Sequence, residues 1–272
     1  MEGRIITADF LELKKEIERK NNVKILFLIE SGSRAWNWES EDSDYDIRGV
    51  YIQDYLIVNE PKEQINLKIG DLDIELWDLR KFLSLMLKSN PSVWEWLSSD
   101  IIYLDNPIRE ELKDLFISDF SKYSLKKHYI SMAKDNFHKY INCVGDKANL
   151  KKYVYVLRSL ACVLWIEQHN SPPPKSYKKT IDLLPKEIQE FFNKIVEEKK
   201  KSESLVGCRN KDVEKFILDM IEKSFDEDKL TFDLNQINKI FKRAILPIFK
   251  IDNNRATEIF QKLKEEIFLP RG

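Results

Sequence analysis

Asp44 and Asp46 stand one residue apart and follow a glycine-serine pair, Gly32-Ser33. Alternate residues of an extended chain share a face, so the two carboxylates point the same way about 7 Å apart, a spacing suited to gripping divalent metal ions together. An Asp-x-Asp pair alone is usually a solvated strand end. Gly-Ser at the end of a preceding strand changes the reading: Gly32 permits close backbone approach, and the turn offers backbone N–H groups and the Ser33 hydroxyl to phosphate oxygens. Hard cations such as Mg²⁺ take carboxylate oxygens together with substrate phosphates. The combination therefore predicts a nucleoside triphosphate as ligand. A third carboxylate would complete a two-metal arrangement, and Asp73 and Glu75 are both available on one face of a later strand. Without a cation, like charges on one strand face repel and weaken the sheet.

Weaker candidates surround this set. Arg34 and Arg48 flank it in sequence and would neutralise a triphosphate, with ordinary pairing to Glu30 or Asp42 as the alternative. Lys152 and Arg158 are candidate phosphate contacts from a later helix. Trp36 and Trp38 read as packing residues rather than base-stacking platforms, and Trp94, Trp96 and Trp165 as core or domain-interface residues. His128, His138 and His169 lack metal-ligand spacing and read as structural or surface residues.

The elements that must position these residues follow from periodicity. Thr7 or Asp9 can cap a helix with Phe10, Leu13 and Ile17 on its apolar face, ending at Asn21-Asn22. Val23 to Ile29 has the length and composition of a buried strand, ending at Glu30-Ser31-Gly32-Ser33. Asp44 to Ile52 reads as a second strand, with Asp44, Asp46, Arg48, Val50 and Ile52 on one face and Tyr45, Ile47 and Tyr51 on the other. Leu72 to Trp77 reads as a third, leading into a helix whose apolar face is Leu79, Phe82, Leu83, Met86 and Leu87. Beyond Asn90-Pro91 strand signals fade, apart from the short run 101–104. Helical periodicity covers about 108–117, 125–144, 150–169, 185–201, 211–224 and 234–268, the last broken near Pro247, and Pro172-Pro173-Pro174 is a stiff connector. The expected fold class is α+β: a small mixed-sheet domain over residues 1–105 followed by a mostly helical domain over residues 106–272.

Taken together, these residues resemble the DNA polymerase β-like nucleotidyltransferase superfamily, whose pattern is Gly-Ser, then Asp-x-Asp, then a third acid on a later strand. Five segments are similar to the predicted nucleotidyltransferases of the RNA repair pathway group. They are Gly-Ser-Arg-Ala-Trp at 32–36, Ser-Asp-Tyr-Asp-Ile-Arg-Gly-Val-Tyr at 43–51, Leu-Arg-Lys-Phe-Leu at 79–83, Asn-Pro-Ser-Val-Trp-Glu-Trp-Leu at 90–97, and Lys-Lys-Tyr-Val-Tyr-Val-Leu-Arg at 151–158 with the prolines that follow. The likeness touches most of residues 25–185, and residues 186–272 carry no such motif. It implies a polymerase β-like palm in which Gly32 and Ser33 hold the β- and γ-phosphates of a nucleotide and Asp44 and Asp46 bind two Mg²⁺ ions, with Mn²⁺ as the alternative. Asp73 would bind the ion that activates an attacking hydroxyl. It is preferred over Glu75 because Leu72-Asp73-Ile74 matches the superfamily's hydrophobic-Asp-hydrophobic context. The implied reaction is in-line attack on the α-phosphorus with pyrophosphate leaving.

Composition narrows the partners. The chain has 272 residues, 43% of them hydrophobic and 33% charged, which excludes both a disordered tail and a membrane protein. Only seven residues are glycine, too few for repeated glycine-dependent devices such as a dinucleotide fingerprint. Three scattered cysteines, Cys143, Cys162 and Cys208, fit neither a disulfide framework nor a zinc site and point to a reducing compartment. With no targeting segment in evidence, a cytoplasmic location is expected. The net charge of −1 conceals two halves: residues 1–100 carry 13 Lys/Arg against 20 Asp/Glu, whereas residues 121–180 carry 12 against 3, interleaved with tyrosines. Cations bound in the first half and RNA along the basic segment are the partners this predicts.

Overall fold

The computed structural model describes residues 3–39, 43–53, 62–142, 145, 147–199, 205–223, 225–228, 232–249 and 252–268. Helix α1 (Gly3–Asn21) starts before Thr7 and Asp9, so the expected cap at those residues is replaced by an earlier start. The helix stops where Asn22 turns into the left-handed region at φ 54°. The apolar run forms β1 (Val23–Glu30), buried at all but one position. A one-turn helix α2 (Gly32–Ala35) follows it, then β2 (Tyr45–Gln53), β3 (Gln64–Ile69) and β4 (Leu72–Asp78). Asp78 accepts the Arg80 N–H and so caps α3 (Leu79–Leu87), whose apolar positions Leu79, Phe82, Leu83, Met86 and Leu87 are all buried. Asn90 caps α4 (Pro91–Leu97) with Pro91 in its first turn, a start signal that accounts for the loss of strand character there. β5 (Ile102–Leu104) is the short run at 101–104.

The five strands form one mixed sheet in the order β3-β4-β2-β1-β5. β1 pairs antiparallel with β2 and with β5, and β3 pairs antiparallel with β4. β2 and β4 run parallel, in a register that sets Asp46 opposite Asp73 and Arg48 opposite Glu75. Gly49 lies where β1 bulges: an added Cβ would come 2.4 Å from the Phe27 carbonyl oxygen, so no other residue fits that close backbone approach.

Two apolar layers cover the sheet. On one face Phe10 and Ile17 of α1 pack with Ile25, Leu28, Ile47, Tyr51, Ile74 and Leu76. On the other, Phe27, Ile29, Val50, Ile52 and Trp77 join a core that continues through the helices to Phe260. Strand alternation puts Asp46, Arg48, Asp73 and Glu75 on this second face, in line with Val50 and Trp77 but nearer the strand starts.

The helices after the sheet are α5 (Pro107–Asp119), α6 (Lys122–Tyr140), α7 (Leu150–His169), α8 (Tyr177–Ile181), α9 (Lys186–Lys199), α10 (Lys211–Ile221), α11 (Leu234–Phe249) and α12 (Asn253–Phe268). A two-stranded antiparallel ribbon, β6 (Lys147–Asn149) with β7 (Val206–Cys208), joins segments far apart in sequence. α7 is buried along much of its length, capped by Asn149 and ended by Asn170 at φ 52°. The proline run bridges α7 and α8, and its Pro173 carbonyl accepts the Trp94 indole N–H at 2.7 Å. Trp94 and Trp96 lie in the core as expected, but Trp165 does not: it stacks on exposed His169 at 3.7 Å and donates to Ser171. Among the described residues no helix is long and apolar enough to cross a membrane.

Candidate active site

The site forms where β1 ends and β2 and β4 begin. Gly32 takes φ +65°, a left-handed value that favours glycine, and an added Cβ would lie 2.0 Å from Asp46 Oδ2. The turn after β1 therefore rests directly on the Asp46 carboxylate. The main chain locks the same junction: Ser31 N–H donates to the Asp46 carbonyl at 2.8 Å, and Asp46 N–H donates to Glu30 Oε1 at 2.8 Å. Glu30 is buried, and its other carboxylate oxygen accepts the Tyr103 hydroxyl. Burial raises the Glu30 pKa against the opposing pull of Tyr103 and the Asp46 N–H. Ser33 is buried within α2.

Asp46 and Asp73 face each other across the parallel pair and share one cation. Arg48 Nη2 donates to Asp46 Oδ1 at 3.0 Å and to Asp73 Oδ2 at 3.3 Å, and Arg48 Nε lies 3.7 Å from Glu75 Oε2. Arg48 Nη1 donates to the carbonyls of Ile47 at 3.0 Å and Asp73 at 2.7 Å. Glu75 Oε1 also accepts the Trp77 indole N–H at 2.7 Å. Asp44 turns to β3, where Lys68 Nζ donates to its Oδ2 at 2.8 Å. Burial raises the Asp46 pKa, the nearby Asp73 and Asp44 charges add to the rise, and Arg48 and Lys151 oppose it.

The sequence placed Arg34 and Arg48 beside the site, and both are there, Arg34 close enough to Glu30 for its charge to favour that carboxylate. Arg34 donates to the carbonyls of Ser43 at 2.8 Å and Asp44 at 3.4 Å and lies 4.0 Å over the Tyr45 ring, so it fastens the approach to β2. Asp42 lies outside the described residues. Lys152, near the start of α7, sits 4.2 Å over the Tyr140 ring and 5.4 Å over that of Tyr155. Tyr155 packs edge-on against Trp36 and Trp38. Arg158 is buried: its guanidinium stacks on Trp36 at 3.9 Å and donates to Glu95 at 2.9 Å. It lines a small crevice with Ser31, Ala35 and Trp36 of the turn after β1. Glu30, Lys68 and Lys151 are neighbours the sequence reading did not assign. Only Glu30 carried a signal, an acid closing the apolar run Ile25 to Ile29.

Among the described residues no three His, Cys, Asp or Glu side chains form a ready cage for a metal ion, and the Arg48 guanidinium stands between Asp46 and Asp73. The donor set nonetheless fits a hard divalent cation. Carboxylate oxygens from two in-register strands already hold a positive group between them, with Asp44 at their edge. A hollow of about 730 Å³ lined by Phe10, Leu13, Tyr45 and Leu72 lies on the opposite sheet face, beneath α1, away from these carboxylates.

A mixed sheet carrying a Gly-Ser turn, an Asp-x-Asp pair and an in-register acid on the neighbouring strand defines a nucleotidyltransferase of the polymerase β-like class. The model of the RNA repair pathway DNA polymerase beta family matches residues 7–243, and the chain belongs to that family. It is similar to YcgL of Bacillus subtilis (strain 168), an uncharacterized protein, at 36% identity over 239 residues, covering 82% of this chain and 91% of the other. A looser likeness, with 11% identity and a TM-score of 0.33, spans 93% of this chain and 87% of a nucleotidyltransferase-like protein from Exiguobacterium sibiricum 255-15. It is too distant to bear on the fold.

Proposed function

We propose that this enzyme transfers a nucleoside monophosphate from an NTP to a hydroxyl of RNA, releasing pyrophosphate, with Mg²⁺ as its cofactor. The observation that carries the reading is the parallel register of Asp46 opposite Asp73, with the Gly32 backbone against Asp46. Asp44, Asp46 and Asp73 would hold two Mg²⁺ or Mn²⁺ ions. When bound, such ions lower the pKa of the attacking hydroxyl and neutralise charge on the entering and leaving oxygens. Gly32 and Ser33 present the turn to the β- and γ-phosphates. Arg34, and Lys152 and Arg158 from α7, would supply positive charge to the phosphates, with Arg158 stacked on Trp36 just after that turn. The acceptor oxygen attacks the α-phosphorus in line, its bond to the β-phosphate bridge breaks, and pyrophosphate departs. Asp73 is the better third acid because it is opposite Asp46, whereas one oxygen of Glu75 is taken by Trp77.

RNA as acceptor is favoured by the basic helices beside the site. Lys139 and Lys152 flank the Tyr140 ring at 5.0 Å and 4.2 Å, a cationic and aromatic surface suited to a phosphate backbone and a stacked base. Residues 1–105 would then carry the chemistry and residues 106–272 the acceptor. A reducing, cytoplasmic setting suits the free Cys162 and Cys208.

The test is incubation of the protein with each labelled NTP, Mg²⁺ and a mixed RNA pool. Label should enter RNA and vanish with Asp44→Ala/Asp46→Ala. Transfer that survives this substitution overturns the site. Label arriving instead on protein or a small hydroxyl compound, insensitive to salt, moves the acceptor to that class.

A further inference from the structure

The carboxylates of the site are not bare: each is covered by a cation of the chain itself. Arg48 engages all three of its guanidinium nitrogens at once, with Nη2 on Asp46 and Asp73, Nε near Glu75, and Nη1 on two main-chain carbonyls. Its side chain is only 15% exposed. Lys68 covers Asp44 in the same way, but both of those side chains are about half exposed, so that pair opens easily.

We propose that Arg48 is the resident cation of the metal site, displaced by the divalent ion and received by the nucleotide's phosphates, so that metal and NTP bind as a unit. The inference rests on the nucleotidyltransferase reading above. Three steps lead to it. An arginine stays charged at any ordinary pH, so its positive charge cannot be removed by losing a proton and must be moved. A divalent ion on Asp46 Oδ1 and Asp73 Oδ2 would claim the oxygens that Nη2 now holds, beside a like charge in a half-buried place. A guanidinium freed there presents a planar fork of donors matched to phosphate oxygens, which the Gly32-Ser33 turn would bring to the same spot.

Two consequences are specific. Metal alone binds weakly, because the displaced guanidinium has nothing to receive it. Metal and nucleotide then tighten each other by the same factor, as linkage requires. If Arg48 were only a strut holding the strands together, removing it would loosen the carboxylates and weaken metal binding instead.

The experiment measures Mn²⁺ binding to the full-length protein by the loss of the free-ion electron paramagnetic resonance signal. It compares wild type with Arg48→Met, each without and with the α,β-methylene analogues of the four NTPs. The expected result is that Arg48→Met binds Mn²⁺ alone at least about tenfold more tightly than wild type. The wild type should gain at least about tenfold in Mn²⁺ affinity from an analogue, and the variant much less. Equal Mn²⁺ affinity in both proteins, or weaker binding by the variant, overturns the handover while leaving the enzyme reading intact. Should Arg48→Met fail to fold, the wild type alone still decides: Mn²⁺ affinity unchanged by every analogue overturns the inference. Absence of Mn²⁺ binding under all conditions overturns both it and the enzyme reading.

Discussion

The position of Gly32 is set by a single distance, the 2.0 Å between a hypothetical Cβ and Asp46 Oδ2. Gly70 has a similar φ of +57° but nothing within 4 Å, so the two glycines separate backbone strain from collision. Gly70→Ala should lose about 1 kcal/mol, the cost of a left-handed residue with a Cβ. Gly32→Ala should lose markedly more and abolish transfer, because Asp46 must move. Urea midpoints and nucleotide transfer check both, and equal losses would show that the contact with Asp46 does not matter. Asp73 and Glu75 can be separated similarly. Asp73→Asn should reduce kcat by about tenfold more than Glu75→Gln, whose carboxylate acts from the side through Arg48 and Trp77. Gly32, Ser33, Asp44 and Asp46 could be read from the chain because a short motif and a two-residue period place them locally. Lys68 and Lys151 could not. Their roles arise from strand register and from the seat of α7, which no local pattern encodes.

At the scale of elements, long helices and the short β5 were legible, whereas β3 and the β6/β7 ribbon were not. α7 begins and ends where its apolar period places it, and the structure shows Asn149 and Asn170 as its caps. β3 is an edge strand of alternating Ile65, Leu67 and Ile69 whose last isoleucine is exposed, so burial alone does not mark it. The β6/β7 ribbon has strands too short to carry a period, and its partners are distant. What fastens that ribbon to the helices is Glu214 of α10, which accepts the Tyr153 hydroxyl at 2.5 Å and Arg209 Nη2 at 2.7 Å. Arg209, chiefly, holds the Glu214 carboxyl below the usual range. A depressed carboxylate stabilises the fold above its unfolded value of about 4.3 and loses that contribution as pH falls through the folded value. Glu214→Gln should therefore lie about 1–3 kcal/mol below wild type at pH 7, and urea titrations should show the gap closing below about pH 4. α4 and α7 are joined by the Glu95–Arg158 pair, with side chains 14% and 7% exposed. Arg158→Met should lose about 3 kcal/mol by stranding Glu95, and adding Glu95→Gln should recover part of it. A fully additive pair would argue that the contact contributes nothing.

Across the whole molecule, charge and sheet order do different things. The acidic first hundred residues gather carboxylates at the strand starts, and the basic stretch from 121 to 180 supplies α6 and α7, the second of which reaches the same corner through Lys151. RNA affinity should fall linearly with salt on logarithmic axes, by about 0.7 per phosphate contacted on a single strand. Lys139→Glu/Lys152→Glu should lower both affinity and slope in filter-binding titrations, and an unchanged slope would move the RNA elsewhere. The parallel pairing of β2 with β4 has a further consequence, in time rather than space. β3 and β4 meet through a tight turn at Gly70-Asp71 and can pair early, whereas β2 and β4 must wait for a long connection to close. Asp46 and Asp73 thus come together only when that hairpin docks. The mutual repulsion of the carboxylates is postponed until the surrounding core can bear it. Pulse-labelled hydrogen exchange during refolding should find the β3/β4 amides protected before those that bridge β2 to β4.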